Sequence, residues 1–297
     1  MDVTGNRQIL RGTGATISVT VTDSDVTLFG SATLVVTAYD GTVVVPSTAA
    51  TGTGGSYTYR LPATATANLD ILTAAWTVIA DGVAETVTTT VEVVGGYLFS
   101  IAEARVFDQK QLANTTAFPD AAIIAARANI LDAFQDICNV GFVPRYTESF
   151  LSGYSEWHLR NHSDLFLPYP LPRALRGIAF SYWSGAWVEY DITTLGPVEL
   201  TPEGLLRGQL YTPYGEFGTM VRVRYEHGMD GPPAAIKKAA LQILLYELIP
   251  SNLPDRATSQ VIGDTTYRLT TADAKQRYYG IPSVDAILAR YAYSTIG

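Results

Sequence analysis

Three histidines limit the chemistry this chain could carry. His158 and His162 stand four apart in "SEWHLRNHSD", beside Glu156 and Asp164. On a helix, that spacing would offer two imidazoles and a carboxylate to a metal ion. The stretch is polar, is flanked by strand-like runs, and lacks both a His-Glu-x-x-His pattern and cysteine support, so it reads as a loop. His227 follows Glu226 at the end of an alternating run and precedes a glycine and a proline pair. A general base there needs a nucleophile or acid in reach, and no Gly-x-Ser-x-Gly elbow or comparable signature supplies one. His227 is therefore expected as a strand-end side chain that hydrogen-bonds a turn.

The other candidates are weaker still. Glu199 with Glu203, or Glu189 with Asp191, have the composition of a glycosidase acid pair, but separation in space decides that chemistry and any acidic chain offers such pairs. Asp23 and Asp25 could help bind calcium at the end of a β-sandwich, although an Asp-rich turn is common without an ion. "GTGGS" (52–56) lacks the Gly-Lys-Ser/Thr ending of a phosphate loop and reads as a turn. The single cysteine, Cys138, falls on an apolar helical face, where a thiol is packing. Tyr182, Trp183, Trp187 and Tyr190 could form a sugar-stacking platform, yet cross-strand aromatics also stabilise hairpins by ordinary packing. These readings leave the chain without a catalytic constellation, a metal or a cofactor.

Composition sets the frame for these residues. Hydrophobic residues make up 47% of the 297 and charged residues 16%, which fits globular domains rather than disorder. Twenty Lys and Arg face twenty-eight Asp and Glu, for a net charge of −8, which argues against tight binding of phosphate backbones. Residues 1–95 hold three Arg, no Lys and eight acids, so the acidity is concentrated at the front. One cysteine cannot form an intrachain disulfide, and no stretch approaches the roughly 20 apolar residues of a membrane helix. The start "MDVTGNRQIL" has no signal-peptide pattern, so assembly in a cytoplasm is expected.

From Ala15 to Val94 apolar residues recur with period two: Ile17, Val19, Val21, then Ala74, Trp76, Val78, then Val87, Val91, Val93. Asp40-Gly41 and Asp81-Gly82 sit between such runs as hairpin turns. This pattern predicts an all-β immunoglobulin-like sandwich over residues 1–95, without a disulfide. Past "VVGGYL" the period becomes helical. Ser100 and Glu103 make a capping box opening a short helix from about Ile101 to Leu112. A longer helix follows Pro119, with Ile123, Ala126, Ile130, Phe134 and Ile137 on one face, ending at Gly141. Strand-like, proline-punctuated text fills 143–225, helix returns from about Pro233 to Ile249, and "SQVIGDTTYRLT" is a possible strand. In "PSVDAILARYA", Val284, Ile287, Leu288 and Tyr291 share one helical face.

The order of elements from Phe99 onward, "FSIAEARVFDQKQLANTTAFPDAAIIAARANILDAFQDICNVGFVPR", then "LFLPYPLPRALRGIAF", then "VRVRYEHGMDGPPAAIKKAALQILLYEL", resembles the head-to-tail adaptor (connector) proteins of tailed bacteriophages, particularly those infecting actinobacteria. The likeness covers roughly the last two thirds of the chain. It implies an α+β adaptor domain over 96–259, a helical frame with an inserted antiparallel β portion, and a C-terminal docking arm over 260–297. It also implies a non-enzymatic virion protein of the neck: a homo-oligomeric ring, commonly a dodecamer, beneath the portal protein. The other side of the ring would meet a stopper, tail-terminator or tail-tube protein. DNA would pass through the lumen without specific binding, which suits an acidic wall.

On this resemblance the arm offers Arg268, Lys275, Arg277, Tyr278, Tyr279, Ile287, Leu288, Arg290, Tyr291 and Tyr293 to the portal or a neighbouring subunit, since Tyr and Arg are enriched at interfaces. The helix after Pro233 is apolar almost all round, so Ile236, Ala240, Ile243, Leu244 and Leu248 are expected to pack against a neighbouring ring subunit. Two rivals stand beside this reading. One is a stopper or tail-tube component of the same neck, which the helices after Ser100 disfavour. The other is a carbohydrate-binding or carbohydrate-active protein, which rests on the aromatic hairpin alone.

Overall fold

The computed structural model of the chain describes residues 2–5, 7–22, 28–152, 164–181, 185–193, 199–207, 220–249, 259–262, 265–268 and 279–292. The fold is mostly β and divides into two compact units. One comprises Met1–Tyr97 with Val143–Gly231, the other Leu98–Phe142 with Pro232–Gly297.

The first unit opens with β1 (Asp2–Gly5), β2 (Gln8–Leu10), β3 (Ala15–Thr22), β4 (Phe29–Thr37), β5 (Val43–Ala49), β6 (Thr51–Thr53), β7 (Ser56–Leu61), β8 (Asp70–Ala80) and β9 (Val83–Val94). They form two sheets, ordered β1-β3-β7-β6 and β2-β9-β8-β4-β5. Alternation decides what faces inward: Ile17, Val19 and Val21 share one core with Ala74, Trp76, Val78, Val91 and Val93. Thr16, Thr20, Thr88 and Thr90, on the opposite faces of β3 and β9, are exposed. Trp76 is fully buried, and its Nε1 donates to Thr89 Oγ1 at 2.9 Å, so its polar atom is satisfied inside the core. Asp81 (φ 46°) and Gly82 (φ 82°) close β8 onto β9, as a two-residue hairpin turn requires.

The same unit continues with β10 (Arg145–Ser152), β11 (Asp164–Phe166), β12 (Pro172–Ser181), β13 (Trp187–Tyr190), β14 (Glu199–Leu200), β15 (Leu205–Arg207) and β16 (Met220–His227). These build an antiparallel sheet, β10-β16-β12-β13, and a smaller one, β11-β15-β14. Val221, Val223, Tyr225, Ile178, Phe180, Leu165 and Leu206 make a second core, distinct from the first. Two irregularities interrupt the register of β12 on β16, between Pro172 and Ala174 and between Leu175 and Gly177. The extra residues are Arg173 and Arg176, and a bulge re-aims the side chain it carries.

The second unit contains α1 (Ile101–Val106), α2 (Asp120–Cys138), α3 (Ala234–Leu248), the hairpin β17 (Ser259–Ile262) with β18 (Thr265–Arg268), and α4 (Pro282–Tyr291). The capping box is present: Ser100 Oγ accepts from Glu103 N at 3.1 Å, and Ser100 N donates to Glu103 Oε2 at 2.7 Å. α1 stops well short of Leu112, because Phe107 is extended and Asp108, Gln109 and Lys110 all take positive φ (43°, 60° and 62°). Each such residue is unfavourable by roughly 1–2 kcal/mol. Arg105 braces this left-handed turn, donating to the Leu112 carbonyl and to Asp120 Oδ1. α2 ends at Cys138 rather than Gly141, because Asn139 takes the left-handed cap position (φ 53°). α3 packs on α2 and α4, and α4 also touches α2.

Candidate functional site

The alternation of β16 separates apolar from charged residues. Val221, Val223 and Tyr225 enter the core, while Arg222, Arg224 and Glu226 share the other face. Glu148 of β10 stands opposite Arg224, Phe150 opposite Arg222, and Tyr146 opposite Glu226. From β13, Glu189 binds both arginines, reaching Arg224 Nη2 at 2.7 Å and pairing with Arg222. Gly177, across from Arg224, leaves room for its guanidinium; a Cβ there would stand 2.6 Å from Arg224 Nη2. Arg176, freed by its bulge, pairs with the buried Glu226. Glu189 is thus committed to arginines, and Asp191 accepts from the backbone and hydroxyl of Thr193 at 2.9 and 2.6 Å.

The seam extends into the N-terminal sheets. Arg145 makes a bidentate pair with Glu92 of β9, at 2.5 and 2.7 Å, both side chains nearly buried. Gln8 supports Glu92 Oε2 at 3.0 Å. Tyr39 donates to Glu148 Oε1 at 3.2 Å and packs its ring on Tyr146 at 5.8 Å. Arg11 lies 3.9 Å from Glu226. Desolvation raises the Asp70 carboxyl above its usual range despite hydrogen bonds from the Ile71 and Tyr39 amides. Sequence reading missed these ties because the partners are 53 and 109 residues apart. The only available signal was the parity of Arg222, Arg224 and Glu226, which fixes a charged face but no partner.

His227 closes β16 opposite both Arg145 and Pro172. It is fully buried, stacked on Tyr169 at 4.6 Å, with Tyr225 at 5.8 Å. Burial first, and then the Arg145 charge, push its pKa down to about 3. It is therefore neutral at physiological pH and closed off from solvent. The expected strand-end position is observed, but the expected hydrogen bond to a turn is not, since neither ring nitrogen has a partner among the described residues.

The aromatic platform is divided by the pleat. Trp187 lies on the outer face, edge-on to Phe150 and beneath the Arg222 guanidinium at 5.0 Å. Tyr190, three residues on, turns inward against Phe180 at 5.0 Å. Period two makes this unavoidable. Tyr182 and Trp183 lie outside the described residues, as do His158, His162, Asp23 and Asp25. Among the described residues, no group of three His, Cys, Asp or Glu could hold a metal, and no helix is long and apolar enough to cross a membrane.

In the helical unit, Ile236, Ala240, Ile243 and Leu244 are fully buried, and α2 and α4 of the same chain supply the cover. Of the five α3 candidates, Leu248 alone keeps some exposure, beside the exposed Tyr246. Leu288 is likewise fully buried, and its carbonyl lies 3.5 Å from Cys138 Sγ, whose thiol burial raises to about 11. Tyr279 meets Phe134 edge-on at 5.9 Å and Tyr291 meets Phe142 at 5.9 Å, with Phe134 and Phe142 joined at 6.4 Å. Burial, then the Glu247 charge, raise Tyr279 to about 12. Asp285 accepts from the Tyr279 and Gly280 amides at 3.0 and 3.1 Å, fastening the entry to α4. Ile287 is half-buried and Arg290 exposed. Arg268 lies on β18, while Lys275, Arg277, Tyr278 and Tyr293 are outside the described residues.

No protein-family model matches the chain, and no curated protein matches it. One similar solved structure is described as "Neck of empty GTA particle computed with C6 symmetry". The likeness has a TM-score of 0.42 and 14% identity, and covers 67% of this chain and 91% of that chain. Similarity at that level assigns neither a family nor an activity to this chain.

Proposed function

We propose that this chain is a structural head-to-tail adaptor of a tailed phage, acting without catalysis as a ring beneath the portal, a dodecamer on the family resemblance. Its outer side would meet the stopper or the first tail protein, around a DNA channel in the neck of the virion. The N-terminal sheets serve as an appended immunoglobulin-like module.

The observation carrying this reading is the interleaving of the two units. Leu98–Phe142 and Pro232–Gly297 form one unit, although in sequence they are separated by a β segment that belongs to the other unit. This order along the chain supports the adaptor reading, which expects helical segments on either side of an inserted β portion. The frame is already packed internally, so docking falls to what it leaves outside: Tyr246 and Leu248 at the end of α3, and Ile287 and Arg290 on α4. Aromatic residues and arginine are the groups enriched at interfaces.

The test is the mass of the purified chain, alone and mixed with the portal protein of the same phage. A ring-sized complex with the portal is expected. A chain that stays monomeric with the portal at micromolar concentration, yet is retarded on polysaccharide, would overturn the adaptor reading.

A further inference from the structure

Among the described residues the first unit has two apolar cores, and the ties described between its β parts are mainly polar. The core of β1–β9 and the core of β10–β16 share no residue. Between them run the Arg145–Glu92 pair, the Tyr39–Glu148 hydrogen bond with the Tyr39–Tyr146 ring contact, and the Arg11–Glu226 pair at 3.9 Å; Arg176 holds Glu226 from within the second sheet. Where the chain enters and leaves this seam, the backbone is pinned. Gly95 N donates to Pro144 O at 2.8 Å, and a Cβ on Gly95 would stand 2.6 Å from Pro144 Cβ.

We propose that this seam is an ionic clasp: its charged pairs hold the N-terminal sheets over one end of the β10-β16-β12-β13 sheet, and their loss lets the two β parts separate about Gly95 and Pro144 while each keeps its own core.

Three features support this. The covered end of the sheet carries Tyr146, Glu148 and Glu226, whereas its open end carries the exposed Phe150 and Met220, so the N-terminal sheets cap only part of one face. A polar contact between two independently cored bodies is the kind that permits relative motion, whereas a continuous apolar core does not. Glu92 and Glu226 are the least exposed carboxylates of the seam apart from Glu148, and each holds an arginine of the second sheet. Removing the Glu92 charge takes from Arg145, 13% exposed, the acid that binds it from the N-terminal sheets, and removing the Glu226 charge takes away the Arg11 pair, both of which favour separation.

The experiment uses the full chain with spin labels on Ser47→Cys (β5) and Ala186→Cys (before β13), the native Cys138 being buried. The parent protein is expected to give one narrow distance, and the Glu92→Gln, Glu226→Gln variant a second, longer component. A single unchanged distance in the double variant, with near-ultraviolet circular dichroism showing both cores intact, overturns the clasp. If that variant does not fold, Tyr39→Phe with Arg11→Ala removes only cross-seam ties. Faster amide exchange along β10 is then expected without faster exchange in β8, and equal rates in both strands overturn the proposal.

Discussion

Tyr169 lies flat against His227, the ring centroids 4.6 Å apart and the planes 9° from parallel, with both imidazole nitrogens unpartnered among the described residues. This stack closes the end of β16, where burial and the Arg145 charge favour the neutral imidazole. The folded-state pKa of about 3 lies below the ordinary 6.5. Between those values the unfolded chain binds a proton that the folded chain refuses, so stability rises with pH there. The contribution is fully present above 6.5 and is lost as pH falls toward 3, at about 1.4 kcal/mol per pH unit. His227→Phe keeps an aromatic ring on Tyr169 and removes two unsatisfied buried atoms, so it should cost little near neutral pH. Urea unfolding from about pH 7 down to about 4.5 should show a flatter decline for the variant than for the parent protein. Equal slopes would mean that His227 is not what makes the fold acid-sensitive.

Ser100 and Glu103 should separate a cap from a charge. The hydrogen bond from Lys237 Nζ, at 2.8 Å, is the first cause that holds the Glu103 carboxyl at about 2, and the Ser100 amide is the second. Its folded pKa lies below the ordinary 4.5, so its contribution is present above 4.5 and lost as pH falls toward 2. Both partners are more than a third exposed, so solvent keeps the ion pair's share small. Ser100→Ala removes the acceptor for the Glu103 amide and should cost about 1 kcal/mol. Glu103→Gln can still close the box and should cost less. Chemical denaturation ranks the two, and the reverse order would make the ion pair the dominant element.

Much of this architecture was legible in the residues, for reasons that also mark where legibility ends. Ile17, Val19 and Val21 predict an inward face because the pleat turns side chains with period two, and Ser100 with Glu103 predicts a helix start because both halves of the cap are local. The stop of α1 at Val106 was not legible, since it depends on three consecutive residues held at positive φ with Arg105 bracing the turn from outside it. The burial of Ile236, Ala240, Ile243 and Leu244 was legible, but the identity of their cover was not. An all-round apolar helix says that it must be enclosed, and only the fold says that α2 and α4 enclose it. The Glu92–Arg145 pair was invisible for the same reason: its partners are 53 residues apart, with α1 and α2 between them in sequence.

Gly95→Ala tests the pinned crossing directly. The glycine φ is not in the left-handed region, so the penalty is steric rather than conformational. A Cβ 2.6 Å from Pro144 Cβ and 2.7 Å from its Cγ meets a ring that cannot rotate away. The expected cost is about 1–3 kcal/mol, in line with overpacking at a fixed site. Gly41→Ala, at a turn with open space around the new methyl but φ of 87°, is the control for a purely conformational penalty. Thermal melting that leaves Gly95→Ala unchanged would show that the two crossings give way to one another.

Leu288 and Arg290, two residues apart on α4, should divide folding from docking. Leu288 is fully buried, so Leu288→Ala leaves a cavity and should cost about 2–5 kcal/mol. Arg290 is exposed, and Arg290→Ala should stay within about 0.5 kcal/mol of the parent protein. If the exposed side of α4 meets the portal, Arg290→Ala lowers the fraction of chain recovered in the portal complex while its melting temperature is unchanged. Leu288→Ala lowers both together, because a loosened α4 no longer presents its outer side. The two are compared by melting and by mass measurement of the portal mixture at equal concentration. Portal recovery insensitive to Arg290→Ala, but lowered by an equivalent charge removal at Arg268, would shift the docking surface from α4 to the β17–β18 hairpin.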